Sequence, residues 1–348
     1  MSDTVRPAAV RTAYYPNMDL LRYVLAYMVV YEHTLTLCQW DWVHCLTPFY
    51  YVGGFFCISG FLMYPSFEKR PHLWQYLRNR AIRILPPYFT IVLACALGLV
   101  AVSSLSVSQY FSSPGFWKYL VANMAFLNWL APALPGVFDG PEFFTDAVNG
   151  SLWTMKVEWV FYFSIPFYFM IFRRLRMRPA VLASIIIVVS MCFSVWAAYM
   201  LDATGKNIYE ILGRQFMGTI SYFYLGVIAY LYRDFIARHG LLFIILGVLI
   251  VYFPLMYTDY LHRITSPIGI SMVVLGISLY PRSLVRMPIE DNFSYSIYLF
   301  HIPVIQLVVW SGLVAHQIPA FIVIMLSVTL LAFLSNRLIE QKAYNFFK

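Results

Sequence analysis

Long apolar stretches recur along the whole chain, and they limit its possible folds more than any other feature. A helix needs about 20 mostly apolar residues to cross the roughly 30 Å hydrocarbon core of a bilayer. Windows of that length predict ten spans, near residues 18–38, 47–64, 86–104, 153–172, 180–202, 215–232, 241–257, 264–280, 294–312 and 317–336. We therefore predict an all-α fold, a polytopic membrane helical bundle that forms a single domain over residues 1–348.

A chain of this composition cannot cover a water-facing surface. Charged residues make up 11% of the 348 residues and hydrophobic residues 61%, whereas soluble domains carry about 25% charged residues. These values exclude a soluble nucleic-acid-binding module, an intrinsically disordered chain and a small disulfide scaffold. The five cysteines form no pair with metal-ligand spacing, so we predict neither a metal site nor a permanently bound cofactor.

The basic residues predict the orientation, because lysine and arginine are enriched in cytoplasmic loops. With ten spans, 19 of the 24 lysines and arginines fall on one side together with both termini. If the further apolar stretch at 116–132 crossed as well, the arginine clusters at 78–83 and 173–178 would lie on opposite faces. We therefore predict cytoplasmic tails at 1–17 and 337–348, and an outer re-entrant or interfacial segment at 116–132. This orientation and anionic inner-leaflet lipids account for the net charge of +8 without a nucleic-acid partner.

The first predicted span carries charged and polar side chains along one face. Arg22 and His33 are eleven residues apart, which is close to three helical turns and about 16 Å along the axis. Asp19 lies three residues before Arg22 and can pair with it. Ionisable groups inside a membrane are costly and usually mark a pathway or a reaction centre. The alternative is that Arg22 anchors the helix at the inner face and that His33 bonds a neighbouring helix.

A second ionisable group, Glu158, lies near the outer end of the fourth predicted span. We expect Glu158 to lie at the depth of His33, where a carboxylate can hold an imidazole in the tautomer that a general base needs. A local pair with Lys156, or a solvated position at the end of the span, is the alternative.

Two arginines precede the third predicted span. Arg80 and Arg83 share a helical face, and Pro86 and Pro87 predict the end of the cytoplasmic segment. Two guanidinium groups on one face suit a polyphosphate donor. Anchoring of the helix at the cytoplasmic surface would explain the same residues.

Several segments, in order along nearly the whole chain, resemble the acyltransferase-3 family of integral membrane O-acyltransferases. The positions that match its motifs are Arg22 and His33 with the preceding Asp19, Ser59-Gly60 in FFCISGFLM, Arg80 and Arg83 before Leu-Pro, Trp153 and Glu158 in LWTMKVEWVFY, and His301 at the end of SYSIYLFH. Thr154 stands where the family commonly has serine, which keeps a hydroxyl group. The family also has ten spans with both termini inside.

The resemblance implies an acyl-CoA donor, most often acetyl-CoA, and a carbohydrate acceptor outside the cytoplasm. The donor's phosphates would bind Arg80 and Arg83, and its thioester arm would extend past Arg22. His33, oriented or charge-balanced by Glu158, would deprotonate an acceptor hydroxyl. The expected location is the cell membrane, as in a bacterial inner membrane, with lipids as further partners.

Several points stay open from the sequence. Ser59 could supply a hydroxyl or could simply allow close helix packing, and His301 could line the donor tunnel or bond a neighbour. Direct transfer and an acylated protein intermediate both fit. A secondary transporter or flippase is the main alternative function, although the two related halves typical of transporters are not visible. The acceptor, the acyl group and the oligomeric state are not determined.

Overall fold

The computed structural model describes residues 15–252, 259–281, 284 and 292–347, and these residues contain helices and loops but no strand. The helices are α1 Pro16–Cys38, α2 Pro48–Lys69, α3 Leu73–Gly98, α4 Val107–Ser112, α5 Pro114–Met124, α6 Trp153–Arg174, α7 Pro179–Thr204, α8 Ile208–Arg214, α9 Phe216–Leu231, α10 Arg233–Arg238, α11 Gly240–Tyr252, α12 Asp259–Ser278, α13 Ser294–Trp310, α14 Gln317–Ser335 and α15 Gln341–Phe347. A 3₁₀ turn at Gly150–Leu152 precedes α6, and a π-helical turn at Asn336–Glu340 joins α14 to α15.

Five helical stretches are long and apolar enough to cross a membrane. They are Leu73–Val102, Gly150–Arg174, Pro179–Thr204, Tyr260–Ser278 and Gln317–Phe347, and two shorter apolar helices are Gly240–Tyr252 and Ser294–Trp310. The prediction of an all-α fold is confirmed, and a membrane helical bundle fits it. Each of the ten predicted spans falls on a helix, although residues 253–257 of the seventh span lie outside the described residues, as do residues 1–14 of the N-terminal tail.

The outer segment predicted at 116–132 folds back on itself. Its helix α5 has 11 residues and is about 16 Å long, which is too short to cross a 30 Å hydrocarbon core. The buried side chain of Asn123 donates to the carbonyl oxygens of Tyr119 and Ala131, at 2.9 and 3.0 Å. These bonds hold the end of α5 against the residues that follow it.

α3 runs without a break through Pro86 and Pro87, so these prolines do not separate the segment that carries Arg80 and Arg83 from the apolar part of the third predicted span. Each proline removes one helical hydrogen bond. Ile84 and Tyr88, which flank the pair, are both buried in the core, and their packing holds the helix together despite that loss. The Arg-x-x-Arg motif therefore lies on the same helix as the apolar part of the third predicted span.

α2 and α9 pack with their backbones in direct contact. A Cβ built on Gly60 would lie 1.8 Å from the carbonyl oxygen of Phe223, and one built on Gly226 would lie 2.0 Å from that of Cys57. Only glycine fits at such distances, which is how small residues bring membrane helices together. The contact fixes α2, and the opposite side of α2 lines the site described below.

α1 and α13 lie side by side and run in the same direction. Tyr23 near the start of α1 accepts a hydrogen bond from the backbone N–H of Phe293, at 3.1 Å, and His33 farther along α1 meets His301 of α13. Together with α14 the two helices share an apolar core of their own. This parallel pairing brings the polar face of α1 against the SYSIYLFH segment.

Candidate active site

A polar cavity lies among α1, α2, α3, α6 and α13, and we call it the central cavity. It encloses about 730 Å³, part of which is open to solvent. Its polar lining consists of Arg22, Ser59, Arg80, Arg83, Thr154, Glu158, Tyr162, Ser294, Tyr295 and Tyr298. Ligand sites typically have a few convergent polar groups in an otherwise apolar wall, so its lining suits a substrate.

Four charged side chains face the central cavity. Arg22, Arg80 and Arg83 contribute guanidinium groups, and Glu158 contributes the one carboxylate among the lining residues. Three positive charges and one negative charge leave a formal excess of two positive charges. An anionic group that enters this cavity would therefore be stabilised.

The predicted pair between Arg22 and Asp19 is confirmed. The guanidinium Nη1 of Arg22 lies 3.3 Å from Oδ1 of Asp19, and both side chains are mostly buried. Asn292 also donates to Oδ1 of Asp19, at 3.3 Å, and its own Oδ1 accepts from the backbone N–H of Ser294 at the start of α13. Asp19 therefore links the cavity arginine to the N-terminus of α13.

Glu158 is hydrogen-bonded within its own helix. The hydroxyl of Tyr162, one turn farther along α6, donates to Oε1 of Glu158. In the part of the chain that the structure describes, Glu158 makes no ion pair with Lys156, which was the local alternative. Its carboxylate lines the central cavity together with Arg22, Arg80 and Arg83, and among the described residues it makes no ion pair with them either.

His33 pairs with another histidine. Its Nδ1 lies 3.1 Å from Nε2 of His301 and 3.1 Å from the carbonyl oxygen of Val29. The two rings are 4.9 Å apart, and His301 is fully buried. The ring of Tyr298, which lines the central cavity, lies 5.5 Å from that of His301. The histidine pair therefore adjoins the cavity through Tyr298.

The predicted pairing of Glu158 with His33 is wrong. Thr154 of α6 donates to Tyr298 of α13, at 3.1 Å, and the two helices run in opposite directions. Glu158 lies four residues beyond Thr154, whereas His301 lies three residues beyond Tyr298, so the two groups are separated by about 10 Å along the helix axes. The predicted depth of Glu158 rested only on a count of residues from the end of its span.

Glu32 is a buried carboxylate to which the sequence interpretation assigned no role. It is 1% exposed and accepts from Nδ1 of His44 at 2.7 Å, from the backbone N–H of Cys45 at 2.8 Å and from that of Leu46 at 3.2 Å. Glu32 therefore fixes the loop that leads into α2. Its position within an apolar span was the available signal, because such a group needs a partner.

The other candidate site residues predicted from the sequence, Ser59 and Trp153, lie in different parts of the structure. Ser59 lines the central cavity, while its neighbour Gly60 makes the close contact with α9. Trp153 begins α6 and packs against the apolar core rather than the cavity. Among the described residues, no group of three or more histidine, cysteine, aspartate or glutamate side chains is placed to hold a metal ion.

A second, wider cavity adjoins the central cavity, and we call it the vestibule. Arg80 and Arg83 line both cavities, and the vestibule also has Arg70 and Arg78 in its wall. The C-terminal segment 336–347 forms the opposite wall. It is tied in place by a hydrogen bond from Ser296 to Glu340 and by one from Arg78 to the carbonyl oxygen of Phe347. Four guanidinium groups thus face a space of about 1,880 Å³ that is open to solvent.

Known proteins resemble this chain over most of its length. Residues 15–337 match the sequence profile of the acyltransferase-3 family, which is described as an acyltransferase domain. Nodulation protein 10 of Rhizobium leguminosarum bv. viciae is 23% identical over 356 residues, which cover 94% of this chain and 92% of that protein. No solved structure matches. Because the family profile covers far more than half of the chain, the protein belongs to the acyltransferase-3 family and is an acyltransferase.

Proposed function

We propose that this protein is a multi-pass membrane O-acyltransferase. It takes an acyl group, acetyl in the simplest case, from cytoplasmic acyl-CoA and transfers it to a hydroxyl group of an extracytoplasmic glycan or polysaccharide. The observation that carries this proposal is the arrangement of the polar side chains. Arg80 and Arg83 line both the vestibule and the central cavity, and Tyr298 in the wall of the central cavity lies beside the histidine pair. Family membership supports the transfer of an acyl group.

The proposed topology has ten spans, both termini in the cytoplasm and a location in the cell membrane, as in a bacterial inner membrane. Five long apolar helices and two shorter ones support it. The arginines of the vestibule support its cytoplasmic placement, because basic residues are enriched on that side. The histidine pair then lies toward the outer side, about 16 Å farther along α1 than Arg22.

The donor binds from the cytoplasm in this proposal. Its phosphates lie in the vestibule against Arg80 and Arg83, with Arg70 and Arg78 nearby. Guanidinium groups bind phosphate through paired, charge-assisted hydrogen bonds. The narrower central cavity takes the uncharged arm of the donor, which extends past Arg22 toward the histidine pair. The carboxylate of Glu158 balances the cavity arginines, and this role replaces the predicted orientation of His33.

His33 acts as the general base. It accepts the proton of the acceptor hydroxyl while the hydroxyl oxygen forms a bond to the thioester carbonyl carbon. The carbon–sulfur bond then breaks, and the proton passes from His33 to the departing CoA thiolate, which leaves an ester and free CoA. Ser59 lines the central cavity, so an acylated Ser59 is the form that a two-step route would take.

The acceptor approaches from the outer side, beside the loop that precedes α6. Asn149 of this loop donates to the carbonyl oxygen of Leu299, at 2.9 Å, and Gln306 of α13 donates to that of Thr145, at 2.8 Å. The loop is thereby fixed to α13 on both sides of His301. A loop held in place near the base supports the orientation of a hydroxyl nucleophile.

A strain that lacks the gene, compared with its parent, tests this function. Mass spectrometry and NMR of the envelope glycans show whether an ester is lost, and the mass of the lost group identifies the acyl group. Complementation with wild type and with His239→Ala, an exposed histidine outside the site, should restore the ester. Complementation with His33→Ala should not, although the protein is present at normal level.

Two results would contradict the proposal. One is an ester content that stays the same in the deletion strain. The other is full restoration by His33→Ala. Flux of a polar substrate into proteoliposomes without acyl-CoA would instead favour a transporter.

A further inference from the structure

The two histidines beside Tyr298 of the central cavity have fixed hydrogen-bond roles. Nδ1 of His301 lies 2.6 Å from the carbonyl oxygen of Tyr298. A carbonyl oxygen can only accept, so this Nδ1 carries the hydrogen, and Nε2 of neutral His301 has a lone pair. That Nε2 lies 3.1 Å from Nδ1 of His33.

The role of His33 follows from that of its partner. Both groups near Nδ1 of His33 are acceptors, namely Nε2 of His301 and the carbonyl oxygen of Val29, each at 3.1 Å. Nδ1 of His33 must therefore carry the hydrogen and share it between them. The lone pair of neutral His33 is then on Nε2, which has no hydrogen-bond partner among the described residues.

We infer that His301 is a positioning residue, which holds His33 in the tautomer whose Nε2 is free to accept a proton. This inference rests on the proposed function, since it names the atom that takes the hydroxyl proton. His301 acts through His33 and does not touch the substrate. It takes the place that the sequence interpretation gave to Glu158.

His301 can accept a hydrogen bond from His33 both when His33 is neutral and when it is protonated. Val29 lies four residues before His33 on α1, so its carbonyl oxygen is also the ordinary helical acceptor for the backbone of His33. Nε2 of His301 is an acceptor in addition to that carbonyl. After Nε2 of His33 takes the proton, the same Nδ1–H bond comes from a cation and becomes stronger. His301 thus stabilises the charge that forms on His33 during transfer.

Nitrogen NMR of the protein in nanodiscs, labelled with ¹⁵N-histidine and without substrate, measures the tautomer directly. His33→Gln identifies the signals of His33 by their loss. We expect a protonated Nδ1 and an unprotonated Nε2 for His33 in the wild-type protein. In His301→Leu, which removes the acceptor, part of His33 should change to the Nε2-protonated form. An Nε2-protonated His33 in the wild type would overturn the inference.

Activity with two variants separates positioning from space filling. His301→Leu should reduce kcat by about 10- to 100-fold, the size expected for loss of a hydrogen bond to a charged group. His301→Gln should stay within a few-fold of wild type, because its amide oxygen can accept in place of Nε2. Equal rates for both variants would refute the role.

The proposed function can fail separately from this inference. Ester formation that survives His33→Ala refutes the function, whereas the NMR result does not depend on any substrate. If His301→Leu does not fold, the wild-type spectrum still tests the tautomer of His33, and the rate of His301→Gln still tests the role of His301.

Discussion

From the close contact between α2 and α9 we predict how much Gly60→Ala destabilises the protein. The new Cβ would lie 1.8 Å from the carbonyl oxygen of Phe223, whereas ordinary contact begins at 3.4 Å. The two helices must therefore separate by more than 1 Å, and overpacking of this kind costs about 1–3 kcal/mol. We expect the unfolding temperature to fall by roughly 5 °C.

The same displacement should affect activity. The side of α2 away from α9 lines the central cavity, and Ser59 next to Gly60 is part of that wall, so a shift of α2 away from α9 would displace the wall. A misplacement of about 1 Å can reduce a rate by about 10²-fold. Acyl transfer by Gly60→Ala should therefore fall more steeply than its stability.

Thermal unfolding in detergent and acyl transfer in nanodiscs measure the two effects. Gly98→Ala is the matched control, because a Cβ at the end of α3 meets no atom within 4 Å and its backbone is helical. This control should keep or slightly raise the unfolding temperature, since alanine favours a helix over glycine by up to about 1 kcal/mol. If Gly60→Ala behaved like the control, the described packing of α2 on α9 would be incorrect.

Three further predictions concern the charged residues and the C-terminal wall. Arg80→Gln and Arg83→Gln should each raise the Kd for CoA, measured by calorimetry, by about 10- to 100-fold. The control Arg174→Gln, at an exposed arginine, should not change it. Equal effects of all three variants would contradict the assignment of the donor site. Glu158→Gln should lower the unfolding temperature by a few degrees, because the central cavity loses the one carboxylate that lines it beside three guanidinium groups, and CoA should restore part of the loss; an unchanged temperature would contradict the charge balance. Truncation after Ser335 removes one wall of the vestibule and should weaken CoA binding several-fold by the same measurement, and unchanged binding would exclude the C-terminal segment from the donor site.

Sequence reasoning succeeded where the interacting residues are close along one helix. The pair between Asp19 and Arg22 follows from a spacing of three residues, which brings side chains together on any helix. The exclusion of 116–132 as a span followed from the distribution of arginines, and the short α5 agrees with it. These features depend on local geometry and on the side of the membrane, both of which a single sequence contains.

The partners of the buried ionisable groups could not be read in the same way. His33 and His301 are separated by 268 residues, and the residues around one histidine do not indicate that the other is its partner. The depth of Glu158 depends on how α6 crosses α13, which the Thr154–Tyr298 bond fixes and residue counting does not. The continuation of α3 through Pro86 and Pro87 likewise depends on packing against other helices, which overrides the local preference of proline.

The central claim is that acyl groups pass from cytoplasmic acyl-CoA to an acceptor on the other side with His33 as the base. Inverted membrane vesicles, whose cytoplasmic face is outside, test it when they receive acetyl-CoA labelled in the acetyl group. The account predicts label on lumenal glycans with the wild-type protein and with His239→Ala, and at least a 100-fold lower rate with His33→Ala. Equal labelling by wild type and His33→Ala would contradict it.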